Sequence, residues 1–154
     1  MSANAVPLLV GELNPYGADP HYALFCEPEH SAGGRMCRLV CALRRPTYLA
    51  LHRVNLCDGR WSMKSARAKA EKLTLTGAPW NVVVMLGRKV ADAFGYRDGF
   101  FSVRRDEVFT LVSLPHPSGL CREWNRPHAF QTARSLLQEA CPDVPWGEAV
   151  RLAG

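Results

Sequence analysis

Apolar and polar positions alternate along this chain in blocks. Short apolar runs at residues 8–11, 48–54, 81–86 and 108–113 have strand length and composition, and each is followed by a segment of helical period. The run at 81–86, Asn81-Val-Val-Val-Met-Leu86, is apolar on both faces, which is the pattern of a strand buried within a parallel sheet. Helices are expected over residues 36–45, 62–73, 88–94 and 125–139, the last with Asn125 as its cap and Pro127 in its first turn. Residues 14–35 read as a long polar loop, residues 95–105 as an irregular or hairpin region, and residues 142–154 show no strong pattern. Strand and helix in regular alternation predict an α/β fold: a three-layer αβα domain with a four-stranded parallel central sheet. One domain over residues 1–154 is expected, with no repeat and no low-complexity block.

Composition changes this picture little. The chain is 47% hydrophobic and 21% charged, which is ordinary for a globular domain that buries its own core. The net charge of +5 favours a polyanionic partner, although a merely basic surface reads the same way. Lys64, Arg67, Lys69 and Lys72 are most simply the solvated face of a helix. No apolar run reaches the roughly 18 residues of a membrane helix, and no signal-type segment opens the chain. An intracellular, cytoplasmic protein that does not engage membranes is therefore expected. The six cysteines have no framework spacing and read as free thiols, several of them in the core. His21, Cys26, His30, Cys37 and Cys41 fit no zinc template, so no metal is expected.

Two polar segments follow strand runs. The first is Gly11-Glu-Leu-Asn-Pro-Tyr-Gly17; the second is Leu114-Pro-His-Pro-Ser-Gly-Leu-Cys-Arg122. In open α/β sheets ligands bind beyond the carboxyl ends of the strands, so both could face one cleft. Two prolines stiffen the backbone around His116, which suits the fixing of an imidazole. An apolar tip at Leu120 and a cation at Arg122 then suggest a wedge and a phosphate contact, as used on a base taken out of a duplex. Each residue alone has an ordinary reading. Asn14-Pro-Tyr-Gly17 makes a turn, His116 is a loop histidine, Phe25 a core ring, and Asn55 a strand-end turn residue.

Together the motifs resemble the uracil-DNA glycosylase superfamily, in matching order over roughly residues 6–139. Gly11-Glu-Leu-Asn-Pro-Tyr16 is similar to its first motif and His116-Pro-Ser-Gly-Leu120 to its second. Val82-Val-Val-Met-Leu-Gly87 is similar to its central strand and glycine, and Leu51-His-Arg-Val-Asn55 to the strand ending in a base-reading asparagine. Ala23-Leu-Phe25 lies where the family places a stacking aromatic. The resemblance implies a monofunctional DNA glycosylase that flips and releases uracil or a related pyrimidine, leaving an abasic site. Its partner would be uracil-containing DNA, single- or double-stranded, and it would act as a monomer without cofactor. No lysine occupies a motif position, so no Schiff base and no strand cleavage are implied.

The resemblance also implies roles. His116 would donate to the developing charge on the departing base, and a neutral imidazole suffices. Asn14 would orient the attacking water; an amide is no general base at neutral pH, so slower chemistry than with aspartate is expected. Asn55 offers a donor and an acceptor to the edge of uracil, and Phe25 a stacking face. Tyr16 matches the ring that excludes the 5-methyl of thymine. Ser118, Gly119, Leu120, Arg122, Arg88, Lys89 and the backbone near Gly87 would contact DNA. Asn14 and Ser118-Gly-Leu-Cys-Arg122 look like the mismatch-directed branch, whereas His116 and Tyr16 look like the uracil-specific one. Glu12 stands where an iron–sulfur member often has glutamate, but the paired cysteines of that branch are missing, so no cluster is carried over. The short chain and mixed motifs fit a viral, phage or otherwise specialised member, whose base need not be uracil. The alternatives are a glycosylase for a 5-substituted pyrimidine and a non-catalytic nucleic-acid-binding relative.

Overall fold

Strand β1 (Pro7–Asn14) lies inside the sheet because its apolar residues point to both faces: Leu8, Leu9 and Val10 are all buried. After it the chain makes a 3-10 turn (Pro20–Tyr22), helix α1 (Ala32–Arg35), a π-helical turn (Met36–Val40) and helix α2 (Arg45–Leu49). Then follow β2 (His52–Asp58), α3 (Met63–Leu73), β3 (Val82–Leu86), α4 (Arg88–Ala93), β4 (Ser102–Arg105) and β5 (Thr110–Leu114). A 3-10 turn (Arg122–Asn125), α5 (Ala129–Ala140) and α6 (Glu148–Ala153) complete the chain in this computed structural model, which describes residues 4–153.

The sheet has five strands in the order β2-β1-β3-β5-β4. The four strands expected from the sequence are parallel to one another. The fifth, β4, arises from the region expected to be irregular or a hairpin; it pairs antiparallel with β5 at the sheet edge. Exposed Arg105 and half-buried Arg104 on this strand keep the edge unattractive to further strands. Alternation along the strands divides the core into two clusters. Leu9, Val82, Val84, Leu86, Val112 and Leu114 pack towards the π-helical turn, α2 and α5. Leu8, Val10, Val83, Met85 and Leu111 pack towards α3 and α4. Helices therefore cover both faces, as three-layer packing requires.

Several expected boundaries move, and those that matter most do so for local reasons. The second strand starts at His52, not at Tyr48, because Pro46 opens helix α2 and Tyr48 sits on it, fully buried. Asn55 consequently lies within β2 rather than at its end. The first helix begins at Ala32, inside the expected loop, with the Ser31 Oγ accepting from the Gly34 N–H at 3.0 Å. It ends at Val40 through a π turn, closed by Cys41 N–H donating to Met36 O at 2.8 Å. Helix α5, expected from Asn125, starts at Ala129, after His128 in a left-handed conformation (φ 61°). Asn125 and Pro127 are displaced from its cap because residues 122–125 form the 3-10 turn that buries Trp124. The tail, without pattern in the sequence, carries helix α6.

Five of the six cysteines are buried as free thiols and Cys121 is partly exposed. Burial pushes Cys37 up to about 11 and Cys141 up to about 12, so these thiols stay protonated and inert near neutral pH. No helix among the described residues is long and apolar enough to cross a membrane.

The buried Tyr48 hydroxyl donates to Leu24 O at 2.6 Å and holds Leu24 in a left-handed conformation (φ 52°). Tyr48→Phe removes the donor and leaves that carbonyl unpaired. The expected loss is about 1–3 kcal/mol, read as a lower denaturation midpoint at constant m value.

Candidate active site

The site forms where β1 parts from β3. From Pro7 to Val10, β1 pairs with β3; from Gly11 onward its pairing is with β2, through Gly11 opposite Asn55 and Asn14 opposite Asp58. The strand order reverses at this point, and the carboxyl ends of β1, β2, β3 and β5 all face the same edge. A cleft of about 370 Å³ opens there, lined among others by Glu12, Asn14, Phe25, Asn55 and His116. Residues from four separate stretches of sequence thus meet in one cavity.

Asn14 and Asn55 form its floor and are 5% and 6% exposed. The Asn55 amide Nδ2 donates to Asn14 Oδ1 at 2.7 Å. This bond fixes both amides. It leaves the Asn14 NH₂ group and Asn55 Oδ1 as the pair's other polar functions. The expected division of labour changes accordingly. Asn55 spends a donor on orienting Asn14, and Asn14 Oδ1 has one remaining acceptor position for a water. Gly11 is part of the same device: a Cβ at that position would overlap Asn55 Oδ1 and press on the Leu24 side chain.

His116 is held from several sides. Its Nδ1 accepts from the Ser118 N–H at 3.1 Å, which assigns the proton of the neutral ring to Nε2. Its carbonyl accepts from Trp124 Nε1 at 2.8 Å, and the next carbonyl, Pro117 O, accepts from Arg35 Nε at 2.8 Å. Trp124 is itself stacked on Phe130, with ring centroids 5.0 Å apart, and meets the edge of Phe101. Burial lowers the His116 pKa below the ordinary 6.5, against the opposing pull of the Glu12 carboxylate. At neutral pH the ring is therefore an uncharged donor. Glu12 lies on the same side: a Cβ on Gly87 would come 3.3 Å from Glu12 Oε1 and 3.3 Å from the His116 Cβ. Gly87 itself has φ 105°, which a side chain would strain.

Phe25 is half-buried on the opposite wall. Tyr22 meets its ring edge-on at 5.0 Å, and the Arg45 guanidinium lies 5.8 Å from its centroid. Gly33 allows this wall to close, since a Cβ there would run into the Leu24 and Phe25 carbonyls.

Other expected contacts fall outside the cleft. Tyr16 is 94% exposed and lies against Gly59, away from the cavity lining. Leu120 is 93% exposed at the loop tip; its N–H donates to Ser118 Oγ at 3.1 Å, so that hydroxyl shapes the turn. Gly119 packs near the Arg35 guanidinium, and Arg122 is exposed at the start of the second 3-10 turn. Arg88 and Lys89 are exposed at the start of α4, against Phe100 (5.9 Å) and Trp61 (5.6 Å) respectively. The Gly87 N–H donates to Leu114 O at 2.9 Å and is not free for a phosphate, contrary to the expectation for that turn. Sequence reasoning missed Tyr22, Arg35 and Trp124. Of these, Trp124 had a signal, a tryptophan eight residues beyond a rigid histidine loop.

Comparison of the chain with protein-family models, with curated proteins and with solved structures finds no match in any of the three.

An NMR titration should place the His116 midpoint below 6.5, with the neutral ring protonated on Nε2. The sign for stability follows. A base whose pKa is depressed by folding favours the fold while it is neutral. That stabilisation is complete above pH 6.5 and is lost as the pH falls through the folded value. His116→Gln should flatten this acid limb, measured as denaturation midpoint against pH.

Proposed function

We propose that this protein is a DNA N-glycosylase that takes a pyrimidine, uracil or a related base, out of the strand and hydrolyses its N-glycosidic bond. The observation that carries the reading is the meeting of His116, the Asn14–Asn55 amide pair and Phe25 in one cleft. Departure of the base leaves negative charge on its oxygens, and the neutral Nε2–H donor of His116 suits that charge. The sugar becomes oxocarbenium-like, and a water held at Asn14 Oδ1 would attack it from the far side. As the C1′–N bond breaks with its electron pair leaving on the base, the C1′–O bond forms and the proton of the water ends on the departing base anion; Asn14 orients this water and does not deprotonate it, which fits a slow enzyme. Phe25 supplies the stacking face. The exposed Leu120 suits insertion into the gap left by the flipped nucleotide, with Ser118, Gly119, Arg122, Arg88 and Lys89 towards the backbone.

The position of Tyr16 favours a second reading of the substrate. A ring folded into the cleft would leave no room at the pyrimidine 5-position. This ring is turned outward, onto Gly59, so a 5-substituted pyrimidine also fits the reading.

Incubation of the full chain with labelled uracil DNA, single-stranded or opposite guanine or adenine, followed by alkali, should yield cleavage at the uracil. His116→Ala should slow base release by about 10²–10³-fold, the cost of losing one preorganised donor to an oxyanion. The kcat/KM of the unmodified chain should hold through pH 6.5 and fall only at lower pH, where His116 takes up a proton and its Nδ1 no longer accepts from the Ser118 N–H. Oligonucleotides carrying 5-substituted uracil should be cut as well. Tight binding without base release, unchanged in Asn14→Ala, would replace the enzymatic reading with that of a binding protein.

A further inference from the structure

A second pocket, of about 240 Å³, lies between α4 and the loop leading into β4. Arg88, Asp92, Arg97, Phe100 and Ser113 line it. Its floor is Ser113, 1% exposed, which alternation along β5 puts on the α4 side of the sheet with Leu111. One wall is the half-buried ring of Phe100, with the Arg88 guanidinium 5.9 Å from its centroid. Arg97 is exposed at the rim. Among the described residues, neither Arg88 nor Arg97 has a carboxylate oxygen within 4.0 Å. Asp92 is the one acidic group of the lining, against two arginines, so the pocket keeps a net positive charge.

The pocket adjoins the cleft through the β3–α4 turn. Arg88 directly follows Gly87, the residue against Glu12 and His116, and Ser113 stands three residues before His116 on the same strand end. Two guanidinium groups match phosphodiester oxygens, an aromatic wall takes the face of a base, and the buried hydroxyl is a polar anchor. The volume is below that of a pocket for a drug-sized ligand and suits one flat ring with its phosphate at the rim.

We infer that this pocket, built by Arg88, Arg97, Phe100 and Ser113, holds a nucleotide of the DNA strand flanking the one in the cleft. This rests on the reading of the cleft as a nucleotide site. The segment 95–101, which has no regular structure of its own, would then serve strand binding, with Arg97 holding a phosphate and Phe100 stacking on a base.

The test uses the full chain and a single-stranded oligonucleotide with one central uracil, followed by fluorescence anisotropy over a range of salt, with deoxyuridine monophosphate as a ligand lacking any flanking nucleotide. Arg97→Ala should weaken oligonucleotide binding and reduce the slope of log K against log salt by about 0.7, the loss of one phosphate contact on a single strand. Phe100→Leu keeps an apolar side chain in the wall; it should weaken binding about fivefold or more with the slope unchanged. Neither variant should alter binding of the mononucleotide, and melting temperatures check that both are folded. Oligonucleotide affinity and salt slope equal to those of the parent chain in both variants would overturn the pocket assignment. Base release by the parent chain in that case would leave the cleft reading standing. An unmodified chain that neither binds the oligonucleotide nor releases its base would overturn both.

Discussion

Strand β1 is flanked on both sides by parallel partners, and the rest of the molecule depends on that arrangement. Parallel alignment sends the carboxyl ends of four strands to one edge, so every loop that carries polar chemistry emerges there. The order β2-β1-β3-β5 also sends the connection after β1 towards β2 and the connection after β3 towards β5, in opposite directions. These two connections part beyond Gly11 and Gly87, and the cleft lies where they do. Glu12 and Asn14 enter as the continuation of a buried strand, which is a stiffer mounting than a loop would be.

Within the gap, the demands of burial shape the chemistry. Polar groups that are 5–6% exposed must be paired, and Asn14 and Asn55 satisfy much of that demand through each other. Two amides do this without charge. A carboxylate at position 14 would bring a second negative group close to Glu12 in a half-enclosed space, and each would oppose ionisation of the other. The amide avoids that repulsion but gives up the base. His116 answers the same demand in its own way: burial keeps it neutral, and the Ser118 N–H selects the tautomer whose Nε2 donates. The cleft lining thus holds two carboxylates, Glu12 and the Arg45-paired Glu27, and otherwise neutral groups.

Much of this was legible in the chain. The buried run Val82–Leu86, the helix after Ser62 and the placing of Glu12, Asn14, Phe25, Asn55 and His116 near one strand edge follow from period and the position of polar residues after strands. The illegible part has physical causes. Gly33 and Gly34 read as helix breakers, yet they sit in α1 because carbonyls of residues 24–29 approach too closely for any Cβ. Tyr48 has the composition of a strand residue, but its hydroxyl is needed under Leu24, 24 positions away. Tyr16 follows its motif in sequence and leaves it in space, since a one-sided turn at Pro15 and Gly17 decides where the ring lies, and no periodicity encodes that. The fifth strand is four residues long and largely polar, visible only through its pairing with β5.

The loop 115–122 combines opposite mechanical properties, and its function depends on both. At its base, two consecutive carbonyls, those of His116 and Pro117, accept from Trp124 and Arg35, side chains anchored in the second 3-10 turn and at the end of α1. Three residues further, Leu120 stands free of any packing. A histidine that must meet a developing charge needs a mounting fixed before the reaction, because reorganisation during the step would cancel the electrostatic gain. A residue that enters a distorted duplex gains from being exposed, since its apolar surface is then buried only on binding. The Ser118 turn separates the two regimes: its backbone N–H belongs to the fixed histidine and its hydroxyl to the exposed tip. Substitutions at Arg35 or Trp124 therefore act on His116, at the rigid end, and substitutions at Leu120 act on the free end, although a short turn of one loop joins them.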